Sequence, residues 1–260
     1  TYPGPRMGLF RRGAATRAVD GVSFDLDRGR TLALVGRSGC GKSTLARMIL
    51  ALDSPSEGEI RIDGESVSGR HAEELRSARR RMGIVFQDPY GSFDPRHRVE
   101  RLVTEPLHLL DAPVSAAERR ERAAAALHEV GLQPSDLDKY PHEFSGGQRQ
   151  RISIARALIN RPDLIVADEP VSALDVSIRA QILDLFADLN ARLGIACLFI
   201  THDLHVARAI SDDVLVMSHG RIVERGRTAE VLARPQSEAG REIVAAAPEL
   251  ERSLRRRLAQ

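Results

Sequence analysis

The tightest constraint on the fold is the octapeptide Gly36-Arg37-Ser38-Gly39-Cys40-Gly41-Lys42-Ser43. It follows the apolar run Thr31-Leu32-Ala33-Leu34-Val35 and opens a helix-like run from Thr44 to Leu52. A strand, a glycine-rich turn and a helix start are the context in which G-x-x-x-x-G-K-S becomes a phosphate cradle. Glycines let successive backbone N–H groups converge on one anion, since no Cβ blocks the approach or forbids positive φ. The new helix points its positive end at the same anion. Lys42 is expected to reach the β- and γ-phosphates and Ser43 to hold Mg²⁺ through its hydroxyl, with Thr44 closing the set. A plain turn would account for the glycines but not for Lys42-Ser43 between those flanks. The stretch therefore predicts binding of a nucleoside triphosphate.

At 260 residues the chain suits one large domain or a domain with a subdomain. It is 42% hydrophobic and 28% charged, ordinary for a globular protein with a core. The net charge of +2 calls for no nucleic-acid partner. The clusters Arg79-Arg80-Arg81 and Arg255-Arg256-Arg257 read as solvated helix faces. Cys40 and Cys197 fall in the phosphate loop and in an apolar strand, which is no disulfide framework and fits a reducing compartment. No apolar run approaches the ~18 residues of a membrane span, and no secretory leader is visible. The start at Thr1 rather than Met is read as a few leading residues missing, and the protein is expected to be cytosolic.

Taken in order, residues 1–30 hold short alternating segments with turn signals, Val19 to Phe24 and then Asp27-Arg28-Gly29, predicting an antiparallel hairpin-like flank before the phosphate-loop strand. Tyr2 and Phe10 are isolated aromatics that could stack on a nucleobase or cover a sheet edge. Glu59 to Ile62 alternates into the turn dipeptide Asp63-Gly64. Helices are expected over His71 to Arg81, Val99 to Leu110, Ser115 to Val130, Gln148 to Ile159 and Val176 to Arg192. Ser115-Ala116-Ala117-Glu118 reads as a capping box, and Gly131 and Gly194 read as stops. Strands are expected at Met82 to Phe86, Leu164 to Ala167 and Ile195 to Ile200, with a hairpin over Val214 to Val223. Apolar strands alternating with helices predict an α/β fold with a mainly parallel, buried sheet and a polar helical insertion over residues 89–150.

Ligands of such sheets gather at the carboxyl ends of the strands. Four of those ends carry polar residues: Gly36 onward, Gln87, Asp168-Glu169 and His202. Asp168 is placed to hold Mg²⁺ through water, and Glu169 to polarise the attacking water as a general base. Gln87 can touch water or metal, and His202 can hydrogen-bond the γ-phosphate. Singly, Gln87 is a turn residue and His202 a helix cap. Around one phosphate loop they form a site.

Further motifs carry a family resemblance. Phe144-Ser145-Gly146-Gly147-Gln148 resembles the signature of ATP-binding cassette ATPases, with Phe in place of the commoner Leu. Ser172-Ala173-Leu174-Asp175 resembles their D-loop and His202 their switch histidine. The likeness covers residues 2–235 and implies a P-loop NTPase core with an antiparallel flank and an inserted helical subdomain, followed by a helical tail over 236–260. More narrowly, Val85-Phe86-Gln87-Asp88-Pro89, Tyr140 to Gln148 and Glu169 to Ser177 resemble the ATP-binding subunits of peptide and nickel importers. The resemblance makes Tyr2 the adenine-stacking aromatic. Many members continue into a Cys-containing extension after an Ala-Pro like Ala247-Pro248. Here the sequence reaches Gln260 without cysteines, and Ser237 to Gly240 with the short tail leans toward nickel-type members.

Ser145, Gly146, Gly147 and Gln148 precede or open a helix and so present a second anion cradle. The resemblance implies that it closes on ATP held by a second, homologous subunit, with Asp175 beside it. It also implies two membrane permease subunits, an extracytoplasmic solute-binding protein acting indirectly, and a peripheral position at the cytoplasmic face of the membrane. ATP and Mg²⁺ are the expected ligands. The rival is a soluble cassette ATPase of repair or translation. Repair members insert a long coiled coil before the signature, and no heptads are evident here. Translation members resemble two cassettes in one chain. A non-catalytic scaffold is disfavoured by intact Glu169 and His202.

Overall fold

The computed structural model describes residues 17–71 and 73–246. In chain order the elements are β1 (Thr31–Val35), α1 (Lys42–Ile49), β2 (Arg61–Ile62), β3 (Glu65–Ser66), α2 (Leu75–Arg80) and β4 (Met82–Val85). Then come α3 (Val99–Val103), α4 (Ala116–Glu129), α5 (Gly146–Leu158), β5 (Leu164–Asp168), α6 (Val176–Leu193) and β6 (Ala196–Thr201). The last are α7 (Leu204–Ile210), β7 (Asp213–Ser218), β8 (Arg221–Arg227) and α8 (Thr228–Ala233). Tight 3₁₀ turns occupy Glu105–Leu109, Pro134–Asp138 and Pro141–Glu143. The chain divides into two compact units, one of residues 1–26, 32–69 and 200–260, the other of 27–31 and 70–199.

In the first unit β1 pairs parallel with β7, from Leu32↔Asp213 to Val35↔Val216. Every residue of β1 is buried, as expected of a strand covered on both faces. β8 returns antiparallel to β7 across a turn at His219 (φ 48°) and Gly220 (φ 79°). The core joins Ala33 and Val35 to Leu204, Ala207, Val214, Val216 and Val231. Ala239, Ile243 and Val244 of a helical segment over 238–246 pack against it. β2 and β3 form a short hairpin, with Asp63 and Gly64 both at positive φ as a two-residue loop requires. Of the antiparallel flank expected over residues 1–30, residues 1–16 lie outside the described residues, and 17–30 are described without a strand. Asp20 N donates to the Gly220 carbonyl (2.8 Å), and its carboxylate pairs with Arg221 (2.6 Å).

In the second unit β4 pairs parallel with β5, from Met82↔Leu164 to Val85↔Ala167, and β6 follows β5 in the order. The α5 helix lies so close to β4 that a Cβ on Gly83 would fall 2.7 Å from the Ala157 carbonyl oxygen. Asp163, just before β5, takes Arg81 at 2.6 Å and Arg28 at 2.8 Å. The Ser115 cap is present, its hydroxyl accepting from Glu118 N (3.2 Å). The helix expected from Val99 to Leu110 breaks at Thr104, because Pro106 has no N–H to carry it on, and a 3₁₀ turn replaces its second half. The helix expected from His71 shrinks to α2, where only Leu75 and Ala78 are buried. α6 runs as expected to Gly194, whose left-handed φ of 62° ends it.

Candidate functional site

The phosphate loop is tied down within the first unit. Gly36 is buried, and a Cβ there would lie 2.4 Å from the Met217 carbonyl oxygen and 2.7 Å from Cys40 Sγ. A Cβ on Gly41 would meet the Ala18 carbonyl oxygen at 2.2 Å, and its φ of 112° is left-handed besides. Gly220 N donates to the Cys40 carbonyl (2.9 Å), so β7, β8 and the segment before β1 shape the loop from outside. Arg37, Ser38 and Gly39 are exposed, as is Ser43, while Thr44 is half-buried. Arg37 meets Glu242 of the C-terminal segment at 3.2 Å. Lys42 is 7% exposed, and its Nζ donates to the carbonyls of Gly36 (2.7 Å) and Arg37 (3.1 Å), folded back across its own loop. α1 begins at Lys42 with no side-chain cap and no acidic residue in its first turn. A positive helix end beside a buried ammonium is a donor set that fits phosphate.

His202 follows β6, exposed, and Asp203 rather than His202 caps α7, its carboxylate accepting from His205 N (2.9 Å) and Val206 N (3.4 Å).

In the second unit the β4–β5 register brings three candidates to neighbouring strand ends. Val85 faces Ala167, so exposed Gln87 and half-buried Asp168 and Glu169 leave adjacent strands at the same level. Glu169 has φ 47°, a left-handed value uncommon for a residue with a Cβ, which turns the chain sharply after β5. Its carbonyl accepts from Ser172 N (3.2 Å) and Ser172 Oγ (3.0 Å), closing the bend.

The same unit brings the signature and D-loop residues side by side. Ser145 caps α5: its hydroxyl accepts from Gln148 N (3.3 Å), and its own N–H donates to Gln148 Oε1 (3.0 Å). The helix thus starts at Gly146 rather than Gln148. The cap engages Ser145 Oγ as acceptor, which keeps its O–H available as a donor. A Cβ on Gly146 would be 3.7 Å from Leu174, an ordinary contact, whereas one on Gly147 would be 2.5 Å from Ile178 Cγ2 of α6. Gly147 is therefore needed for close helix packing as well. Asp175 sits exposed at the start of α6 with no side-chain cap bond, next to Val176, which is 64% exposed. Tyr2 lies outside the described residues.

Sequence reasoning missed the residues that back the loop: Ala18, Met217 and Glu242. Their signal is purely tertiary, carried by main-chain carbonyls and a surface carboxylate. Among the described residues no group of three or more His, Cys, Asp or Glu could hold a metal ion. Mg²⁺ keeps waters and phosphate oxygens around it and takes few protein ligands. The exposed Ser43 hydroxyl would hold it in the first unit, and when bound it would neutralise charge on the transferred phosphoryl group. Within the first unit, Lys42 and the α1 amides would grip phosphate.

The family model described as ABC transporter matches residues 19–172. The dipeptide transport ATP-binding protein DppF of Haemophilus influenzae is 47% identical over 255 residues, 98% of this chain and 77% of that protein. The di/tripeptide transport ATP-binding protein DppF of Pseudomonas aeruginosa is 47% identical across 93% of this chain and 74% of its own length. A solved dimeric structure of MJ0796, a bacterial ABC transporter cassette, superposes with a TM-score of 0.75 at 31% identity, over 87% of this chain and 96% of that one. The same cassette in a post-hydrolysis state bound to ADP and Pi gives 0.74 with the same coverage. On the family match, the identity and the shared fold together, the chain belongs to the ABC transporter family as one of its ATP-binding domains.

Proposed function

We propose that this chain is the ATP-hydrolysing subunit of an importer that takes up a small solute through separate membrane permease subunits. The relatives' names favour a di- or oligopeptide as cargo, and a nickel complex is the other candidate. The chain works with a second, homologous ATP-binding subunit, two permeases and, indirectly, an extracytoplasmic solute-binding protein. It sits peripherally at the cytoplasmic face of the membrane; among the described residues no helix is long and apolar enough to cross one. In this reading Gly36 to Thr44 hold ATP, Ser43, Gln87 and Asp168 hold Mg²⁺, and Glu169, Gln87 and His202 act on the attacking water and the γ-phosphate. Ser145 to Gln148, with Asp175, complete the site of the partner subunit. Residues 1–235 form the cassette and 236–260 a tail.

The observation that carries the reading is the β4–β5 register, in which Val85 faces Ala167 just before Gln87 and Asp168-Glu169 at the ends of adjacent strands. Glu169→Gln tests it, because it removes the base while keeping the shape. Mg-ATP affinity is expected to stay within about twofold and turnover to fall 10²–10⁴-fold, roughly 3–5 kcal/mol of barrier. Hydrolysis close to that of the parent would remove Glu169 from its role. Lys42→Ala is expected to act on affinity instead, and unchanged affinity would count against the cradle.

A further inference from the structure

The signature helix α5 carries two arginines, seven residues apart and so on one face, that the site described above does not use. Both reach the short segment following Gln87. Arg156 is only 8% exposed. Its guanidinium lies 5.0 Å from the ring centre of Phe93 and 5.9 Å from that of Phe86, the residue before Gln87. Nη1 donates to the Ser92 carbonyl (3.2 Å) and Nη2 to Ser92 Oγ (3.0 Å). The Ser92 hydroxyl in turn donates to the Pro89 carbonyl (2.8 Å). Glu105 Oε2, 3.6 Å away and mostly in water, supplies the countercharge. One turn into the helix, Arg149 lies 4.7 Å over the Tyr90 ring while its Nε donates to the Pro141 carbonyl (2.9 Å).

An arginine that merely filled space would scatter its donors. Both hydrogen bonds of Arg156 go to Ser92, and both aromatic faces belong to the segment Phe86 to Phe93, with the cation between them. Burial pushes the guanidinium below its ordinary value, against Glu105, so only close, well-aimed partners justify keeping it there. We propose that Arg156 is a positioning residue, fixing the Gln87 segment to the signature helix so that Gln87 and Ser145 move as one body. This rests on the reading of Gln87 as a residue of the ATP site.

The test uses the full chain, with amide hydrogen exchange over residues 86–95, Mg-ATP affinity, and turnover in the assembled complex. Arg156→Lys keeps the charge and loses the planar fork. It is expected to speed exchange at Ser92 and Phe93 at least tenfold and lower kcat at least tenfold. Affinity should stay within about twofold, and exchange over α1 should not change. Ser92→Ala should move both readouts the same way by less, and it decides the matter if Arg156→Lys does not fold. Unchanged exchange in a folded variant overturns the clamp. Faster exchange with parental kcat overturns the positioning role. Gln87→Ala separates the two readings: parental turnover there removes Gln87 from the site, and exchange alone then decides whether Arg156 holds the segment.

Discussion

Three glycines of the phosphate loop differ in what a side chain would meet. A Cβ at Gly41 would strike the Ala18 carbonyl oxygen at 2.2 Å, and one at Gly36 would strike that of Met217 at 2.4 Å. At Gly39 it would meet nothing within 4 Å, although φ is +80°. Gly41→Ala is expected to abolish nucleotide binding, because backbone atoms cannot step aside. Gly39→Ala should cost only the left-handed strain of roughly 1–2 kcal/mol and keep binding. Thermal unfolding beside a nucleotide titration separates the two. Asp203→Ala removes the cap of α7 and should cost about 1 kcal/mol of stability, with little change in affinity. The loop glycines, Lys42 and Ser43 were legible because the chemistry sits in their own spacing. Ala18 and Met217 were not, because what they contribute is a carbonyl, which every residue has.

Among elements, β1 and β5 read directly from sequence because Leu32 to Val35 and Leu164 to Ala167 are continuous apolar, buried runs. The segment before β1 is less direct. It alternates, and Asp20 N reaches the Gly220 carbonyl from far along the chain, which local spacing does not announce. The start of α5 shifted because the cap at Ser145 recruits Gly146 and Gly147 into the helix. Packing of α5 on α6 gives a paired prediction: Gly147→Ala should lower the melting temperature through Ile178, and Gly146→Ala should hardly move it. The C-terminal segment is held through Glu224. Burial raises its pKa, but the Ser237 hydroxyl and the amides of Gln236 and Ser237 outweigh that and leave it below the ordinary value. A carboxylate so depressed contributes its stability above the unfolded-state pKa, and that contribution is lost as pH falls through the folded one. Exchange over residues 236–246 should therefore rise only below about pH 4, and Glu224→Gln should raise it at neutral pH.

At the scale of the whole molecule, the division into two units was not legible, since two of its four boundaries fall inside β1 and β6. The prediction at this scale concerns assembly. If Ser145 to Gln148 serve another subunit's nucleotide, specific activity should rise with protein concentration, and further on co-expression with the related partner. Ser145→Arg should leave the chain's own ATP affinity nearly intact while suppressing turnover in the complex. Affinity lost in the monomer would place the signature in its own site instead. One contact also has an optical consequence. The chain contains no tryptophan, so its emission comes from three tyrosines alone. Tyr90, under the Arg149 guanidinium at 4.7 Å, is 44% exposed and could be exchanged for the larger ring. Tyr90→Trp would give the protein a single indole lying against a cation that perturbs its excited state. Any withdrawal of the segment from the signature helix during the ATP cycle would then be seen as a shift in colour and intensity, in real time and without an attached dye.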